Sequence, residues 1–168
     1  MPRRLLDRCH PDSIREFRVA ARQRFDDALA MAGRGRRTGA IYLWGYTAEM
    51  TLKAVYFSLI GLAETAVITW KAHLQPAINK GKGMGMAWPA QGAGHNVRAW
   101  AELLVGVRAL SATTAFVPPF GLEVQRHGQR IEELWRETLR YRKNHAYLYE
   151  TKQVREAAEW LLVNSDVL

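Results

Sequence analysis

The sequence predicts an all-α protein: an up-and-down bundle of four or five helices, with a long glycine-rich insertion between its second and third main helices. Three observations lead there. Apolar residues recur at helical spacing in several separate stretches. No run alternates apolar and polar residues for more than a few positions, and no hairpin signal is present. Of the 168 residues, 48% are apolar, which suits a packed core and not a disordered chain. A chain of this length reads as one domain, residues 1–168, and such a domain buries roughly 70% of its unfolded surface.

Each element has its own signal. Ser13 and Glu16 stand at capping-box spacing, and Ile14, Phe17, Ala21, Phe25, Ala28 and Ala32 then share one helical face. Gly33-Arg34-Gly35 ends this first helix. The second runs over about 38–60, with Leu43, Thr47, Met50, Ala54 and Phe57 on one stripe. Leu52, Val55 and Tyr56 add apolar surface on other sides, so this helix is expected to be central. Glu49 and Lys53 lie one turn apart and can pair.

Residues 61–95 are different, carrying Pro76, Pro89 and many glycines. A short helix is expected over 63–73, followed by a long loop through Gly81-Lys82-Gly83-Met84-Gly85. A third main helix spans 96–110, with Val97, Trp100, Leu104 and Val107 inward. Pro118-Pro119 breaks the chain. A fourth main helix is expected over 121–143, burying Val124, Ile131, Leu134, Trp135 and Thr138. Thr151 is expected to cap the last helix, whose buried stripe is Val154, Ala158, Leu161 and Leu162.

Charge narrows the partners. Lys and Arg number 24 and Asp and Glu 16, giving +8. Residues 1–37 alone hold ten arginines against five acids. Arginine grips phosphate with a planar fork, so a basic chain with clustered arginines points to a polyanion such as a nucleic acid. One cysteine, Cys9, excludes an internal disulfide framework and a cysteine-rich zinc site. The first residues lack an apolar run and a cleavage site, so a cytoplasmic location is expected. The most apolar stretch, beginning at Ala54, has ten charge-free residues before Glu64, whereas a membrane span needs about 20.

Several candidate sites dissolve on inspection. The glycine-rich run lacks the order of a phosphate loop, and no strand precedes it. Cys9-His10 has no second ligand pair, so no metal site is expected. His127, four residues after Glu123, reads as a solvated helix pair, and His73 has no evident partner. Trp100 and Trp135 fall on core stripes. Trp70 and Trp88 lie in the variable middle, where an interface or groove is expected.

One motif carries chemistry: Arg140-Tyr141-Arg142-Lys143-Asn144-His145-Ala146-Tyr147. Residues five apart on a continuous helix diverge by about 140°, so Arg140 and His145 converge only if the helix ends between them. Asn144 is the expected left-handed cap, with Arg142 and Lys143 suited to a last turn.

Three segments of the chain resemble the HEPN family, the higher eukaryotes and prokaryotes nucleotide-binding domains. AIYLWGYTAEMTLKA at 40–54 resembles that family's second helix, which reads like YLxGYxAExxLKA. Gly94-His95-Asn96-Val97 resembles the H-[DN]-[LV] start of its third helix. Arg140 to Tyr147, with the helix after it, resembles its R-x4-H-x-Y segment. The resemblance implies a helical bundle that forms a homodimer. In the active branch it implies RNA cleavage without a metal or other cofactor, leaving a 2′,3′-cyclic phosphate and a 5′-hydroxyl. Such proteins are often toxins of toxin–antitoxin pairs, and in one branch the antitoxin is a nucleotidyltransferase that adenylylates the motif tyrosine.

Carried over by position, Arg140 is the phosphate-binding arginine, His145 the acid–base histidine and Tyr147 the modifiable tyrosine. Arg142 and Lys143 would steer RNA inward, with Glu49 and Lys53 bordering the cleft. A histidine moves the protons while a guanidinium holds the phosphate oxygens. The family often places Asp, Asn or His after the arginine, where this chain has Tyr141. The alternative is therefore a non-catalytic module that binds nucleotide, RNA or a protein partner.

Overall fold

The structure, a computed structural model, describes residues 10–90, 92–110 and 118–168. These residues form an all-helical bundle without strands: α1 (Ile14–Gly33), α2 (Arg37–Leu59), α3 (Gln75–Gly83), α4 (Val97–Ala109), α5 (Pro118–Leu134) and α6 (Leu148–Val163). Cys9 lies outside the described residues. Among the described residues no helix is long and apolar enough to cross a membrane.

The first helix begins where the capping signal places it. Ser13 is extended, and its hydroxyl accepts the Glu16 amide at 3.2 Å. Ile14, Ala21, Phe25 and Ala28 are buried, and α1 packs along α2 through a short turn in which Gly35 takes a positive φ. Helix α2 is central: α1, α4, α5 and α6 all contact it. Trp44, Ala48, Leu52 and Phe57 are fully buried along it, so apolar residues on several of its sides have a neighbour to meet.

The middle of the chain departs from expectation. Residues 63–69 are not helical. A π-helical turn, Trp70–Leu74, begins instead after Thr69, whose hydroxyl accepts the Ala72 amide, and it runs straight into α3. Pro76 is tolerated because first-turn amides have no intrahelical partner. Ala77, Ile78 and Gly81 are buried, and Gly81 presses against the Trp88 indole. The glycine run is thus the end of a packed helix, closed by Gly85 at φ 81. Trp88 is largely buried, borders an open cleft and donates to the Ala93 carbonyl, while Trp70 is half exposed. His73 has a partner after all, accepting the Thr69 amide at 3.1 Å.

Helix α5 ends nine residues short of its expected bound, at Leu134 rather than 143. The cause is Trp135. Its indole turns into the core and donates to the Tyr42 carbonyl at 2.9 Å, filling the space that Gly45 leaves on α2. The chain is extended at Arg136 and then makes a single 3₁₀ turn, Glu137–Tyr141, which leaves Thr138 exposed rather than inward. Helix α6 starts earlier than Thr151, because the Glu150 carboxylate accepts the Tyr147 amide at 2.7 Å. Thr151 is instead buried and donates to the Tyr147 carbonyl. His127, expected to be solvated, is buried and stacked on Trp160 with ring centroids 4.5 Å apart.

Candidate functional site

Helix α2 carries one polar stripe in an otherwise apolar environment: Thr38, Tyr42, Tyr46, Glu49 and Lys53. Spacings of four, four, three and four keep these residues within an arc of about 80°. The segments 135–147 and 93–96 close onto this stripe, so every candidate residue can be placed by the turn of α2 that it meets.

At the first turn, Thr38 and Asn144 clamp the chain. The Asn144 amide oxygen accepts the Thr38 amide at 3.0 Å, and its amino group donates to the Gly35 carbonyl at 2.8 Å. In return, the Thr38 hydroxyl accepts the amides of His145 and Ala146 at 2.8 and 3.0 Å. Asn144 is therefore not the left-handed cap expected of it. Among the described residues only glycines take a positive φ, and the helix it was to cap has ended ten positions earlier, at Leu134. The clamp leaves His145 exposed beside a cavity of about 280 Å³ that Arg142, Lys143 and Tyr147 also line. Tyr147 is exposed and stacks on Tyr149.

One turn on, Arg140 meets the two tyrosines. Its guanidinium stands beside Tyr42 and lies over the Tyr141 ring, 4.7 Å from the centroid. The rings of Tyr42 and Tyr46 meet edge-on with centroids 5.0 Å apart, and burial raises the Tyr46 phenol well above its ordinary value. Among the described residues no ion pair engages Arg140, Arg142 or Lys143.

Two turns further, Glu49 and Lys53 form a buried ion pair at 2.5 Å. The second oxygen of Glu49 meets His95 Nδ1 at 2.9 Å. Burial alone would raise the Glu49 carboxyl, but the Lys53 charge and the His95 hydrogen bond outweigh it and hold the carboxyl below its usual range. The Glu49 hydrogen bond in turn raises the His95 imidazole, against some desolvation, with Glu137 adding to the effect. His95 packs edge-on to Tyr46, its side chain 40% exposed. It faces an open cleft of about 640 Å³ bounded by Trp88, Asn96, Arg98, Glu132, Arg136 and Glu137.

The predicted residues thus fall into neighbouring groups. His145, Arg142, Lys143 and Tyr147 share one cavity. Arg140 stands one turn along the stripe, and the buried Glu49–Lys53 pair meets the partly exposed His95 through Glu49. Sequence reasoning noticed the Gly94-His95-Asn96 segment but gave His95 no role. The available signal was a buried-spaced Glu49–Lys53 pair, which needs a polar partner, and a histidine just before the Asn96 cap of α4. No known protein family, curated protein or solved structure matches this chain.

Proposed function

We propose that this chain is a HEPN-like, metal-independent endoribonuclease acting as a homodimer. Arg140 holds the phosphate, His145 transfers protons, and Arg142 and Lys143 draw the strand in. The observation that carries this reading is the segment between α5 and α6. Four groups suited to RNA chemistry stand exposed along it, while Thr38 anchors its backbone to the central helix and Arg140 stands beside Tyr42. Exposed cations gathered on one short segment attract a polyanion. Tyr147, exposed beside them, is the side chain that a cognate nucleotidyltransferase antitoxin would modify. The reaction uses the 2′-hydroxyl of RNA as nucleophile and yields a 2′,3′-cyclic phosphate.

Incubation of the protein with RNA in EDTA, beside Arg140→Ala and His145→Ala, tests the reading. Cyclic-phosphate ends that appear with wild type and are lost in both variants support it. RNA left equally intact by all three proteins overturns it. One observation favours a second reading, a module that binds RNA or nucleotide without cutting: the Tyr141 ring covers one face of the Arg140 guanidinium. Retained RNA without cleavage, unaffected by His145→Ala, would select that reading.

A further inference from the structure

We propose that His95, held by the buried Glu49–Lys53 pair, is a second catalytic histidine that donates the proton to the departing 5′-oxygen of RNA. This rests on the RNA-cleavage reading above and adds to it a residue outside the Arg140–Tyr147 motif. The starting point is a cost. Two charges buried in a core are rarely more stabilising than apolar residues of the same size, yet Glu49 and Lys53 are both nearly inaccessible. The pair spends one carboxylate oxygen on Lys53 and aims the other at a half-exposed imidazole. A carboxylate on Nδ1 fixes the ring and keeps a proton on Nδ1, so Nε2 is the free atom, and it carries a proton to donate when the ring is the imidazolium. His95 borders an open cleft large enough for a nucleotide.

Position along α2 supplies the second argument. The His145 backbone is anchored at Thr38, Arg140 stands beside Tyr42, and His95 is held by Glu49. Arg140 therefore lies between the two histidines along α2, with His145 on the cavity at one end of a stretch of about 16 Å and His95 on the cleft at the other. In-line displacement at phosphorus puts the attacking and leaving oxygens on opposite sides, which calls for a base on one side and an acid on the other. In the proposed step the 2′-oxygen attacks phosphorus and its proton passes to His145. The phosphorus–O5′ bond breaks, and O5′ takes the proton from His95 Nε2. Solvent then returns both histidines to their starting states. Glu49 and Lys53 on α2 and Glu137 on the 3₁₀ turn are the charged groups acting on His95, with Tyr46 against its ring.

The test compares two substrates. In the second, sulfur replaces the 5′-bridging oxygen, so the leaving thiolate needs no proton. His95→Gln is expected to slow cleavage of ordinary RNA by about 100-fold or more, as loss of a general acid does, and to cut the thio substrate within a few-fold of wild type. His145→Ala is expected to be slow on both. The charge-free pair Glu49→Gln with Lys53→Met, which keeps the core filled, should move the alkaline limb of the rate profile to lower pH. Ordinary RNA cut by His95→Gln at the wild-type rate, or an equal loss on both substrates, overturns the role of His95 while leaving the cleavage reading intact. Wild type that cuts neither substrate overturns both.

Discussion

Replacing Thr38 with valine should loosen the segment that bears His145 without altering the core. The side chains have nearly the same shape, so the change removes one oxygen. That oxygen accepts two backbone amides, from His145 and Ala146, at 2.8 and 3.0 Å. A typical hydrogen bond contributes about 0.5–1.5 kcal/mol net, so two lost acceptors set a range of about 1–3 kcal/mol. His145 is exposed and water can replace part of the loss, which places the expected cost at about 1–2 kcal/mol. For a chain of this size that lowers Tm by about 2–8 °C. Urea unfolding gives the free energy, and amide hydrogen exchange locates it. The His145 and Ala146 amides should exchange at least about five-fold faster, while amides in the middle of α2 change only by the global amount. Thr38→Ser keeps the oxygen and should retain most of the protection. If valine costs under about 0.5 kcal/mol and exchange at both amides is unchanged, the clamp is not what holds the segment.

Three further perturbations probe the same framework. Glu49→Ala strands Lys53 as a buried unpaired charge and should cost about 3–5 kcal/mol by chemical denaturation, most of it recovered when Lys53→Met is added; additive losses would contradict this. Gly45→Ala puts a methyl inside the Trp135 indole and should destabilise by about 1–3 kcal/mol with a shift in tryptophan fluorescence, whereas an unchanged melt would mean the α2–Trp135 contact is loose. His127 has its imidazole lowered by burial, with Arg126 adding to the effect against Glu123. The unfolded chain then binds this proton more readily than the folded one, so stability should fall as pH drops below the ordinary histidine value of 6.5. His127→Phe should flatten that acid limb, and an unchanged limb would assign it to other groups.

Much of the helical framework was legible because its signals are local. The Ser13 cap and most of the apolar stripes of α1 and α6 each sit within a turn or two of sequence. What was not legible depended on distant partners. Residues 121–143 read as a continuous helix, and nothing nearby says that Trp135 must leave it to reach the Tyr42 carbonyl on α2. The glycine run at 81–85 reads as a loop until Trp88 is seen packed on Gly81. Asn144 reads as a left-handed helix cap, and it is none, because its partners are Gly35 and Thr38, far away in sequence. At the candidate site, the spacing of Arg140 and His145 stands out in the sequence, whereas His95 does not, because its contact with Glu49 joins residues 46 positions apart.

The polar stripe of α2 explains why one helix serves both the core and the site. A loop carrying cations gains little from order of its own, since like charges repel and exposed side chains pay entropy when fixed. Here the fixing is done from the helix side. Thr38 satisfies two loop amides, Tyr42 stands beside a guanidinium, and Glu49 holds an imidazole. Each anchor is set by α2, which is itself locked by Trp44, Leu52 and Phe57 in the core. The relative positions of Arg140, His145 and His95 are then inherited from the rise of a single buried helix, not from the flexibility of the segments that carry them. It follows that substitutions inside the stripe should disturb the site more than substitutions of equal thermodynamic cost elsewhere in the core. Thr38→Val and a cavity made at Leu161 of α6, matched for stability, would separate the two effects: equal activity in both would show that the stripe holds the fold alone.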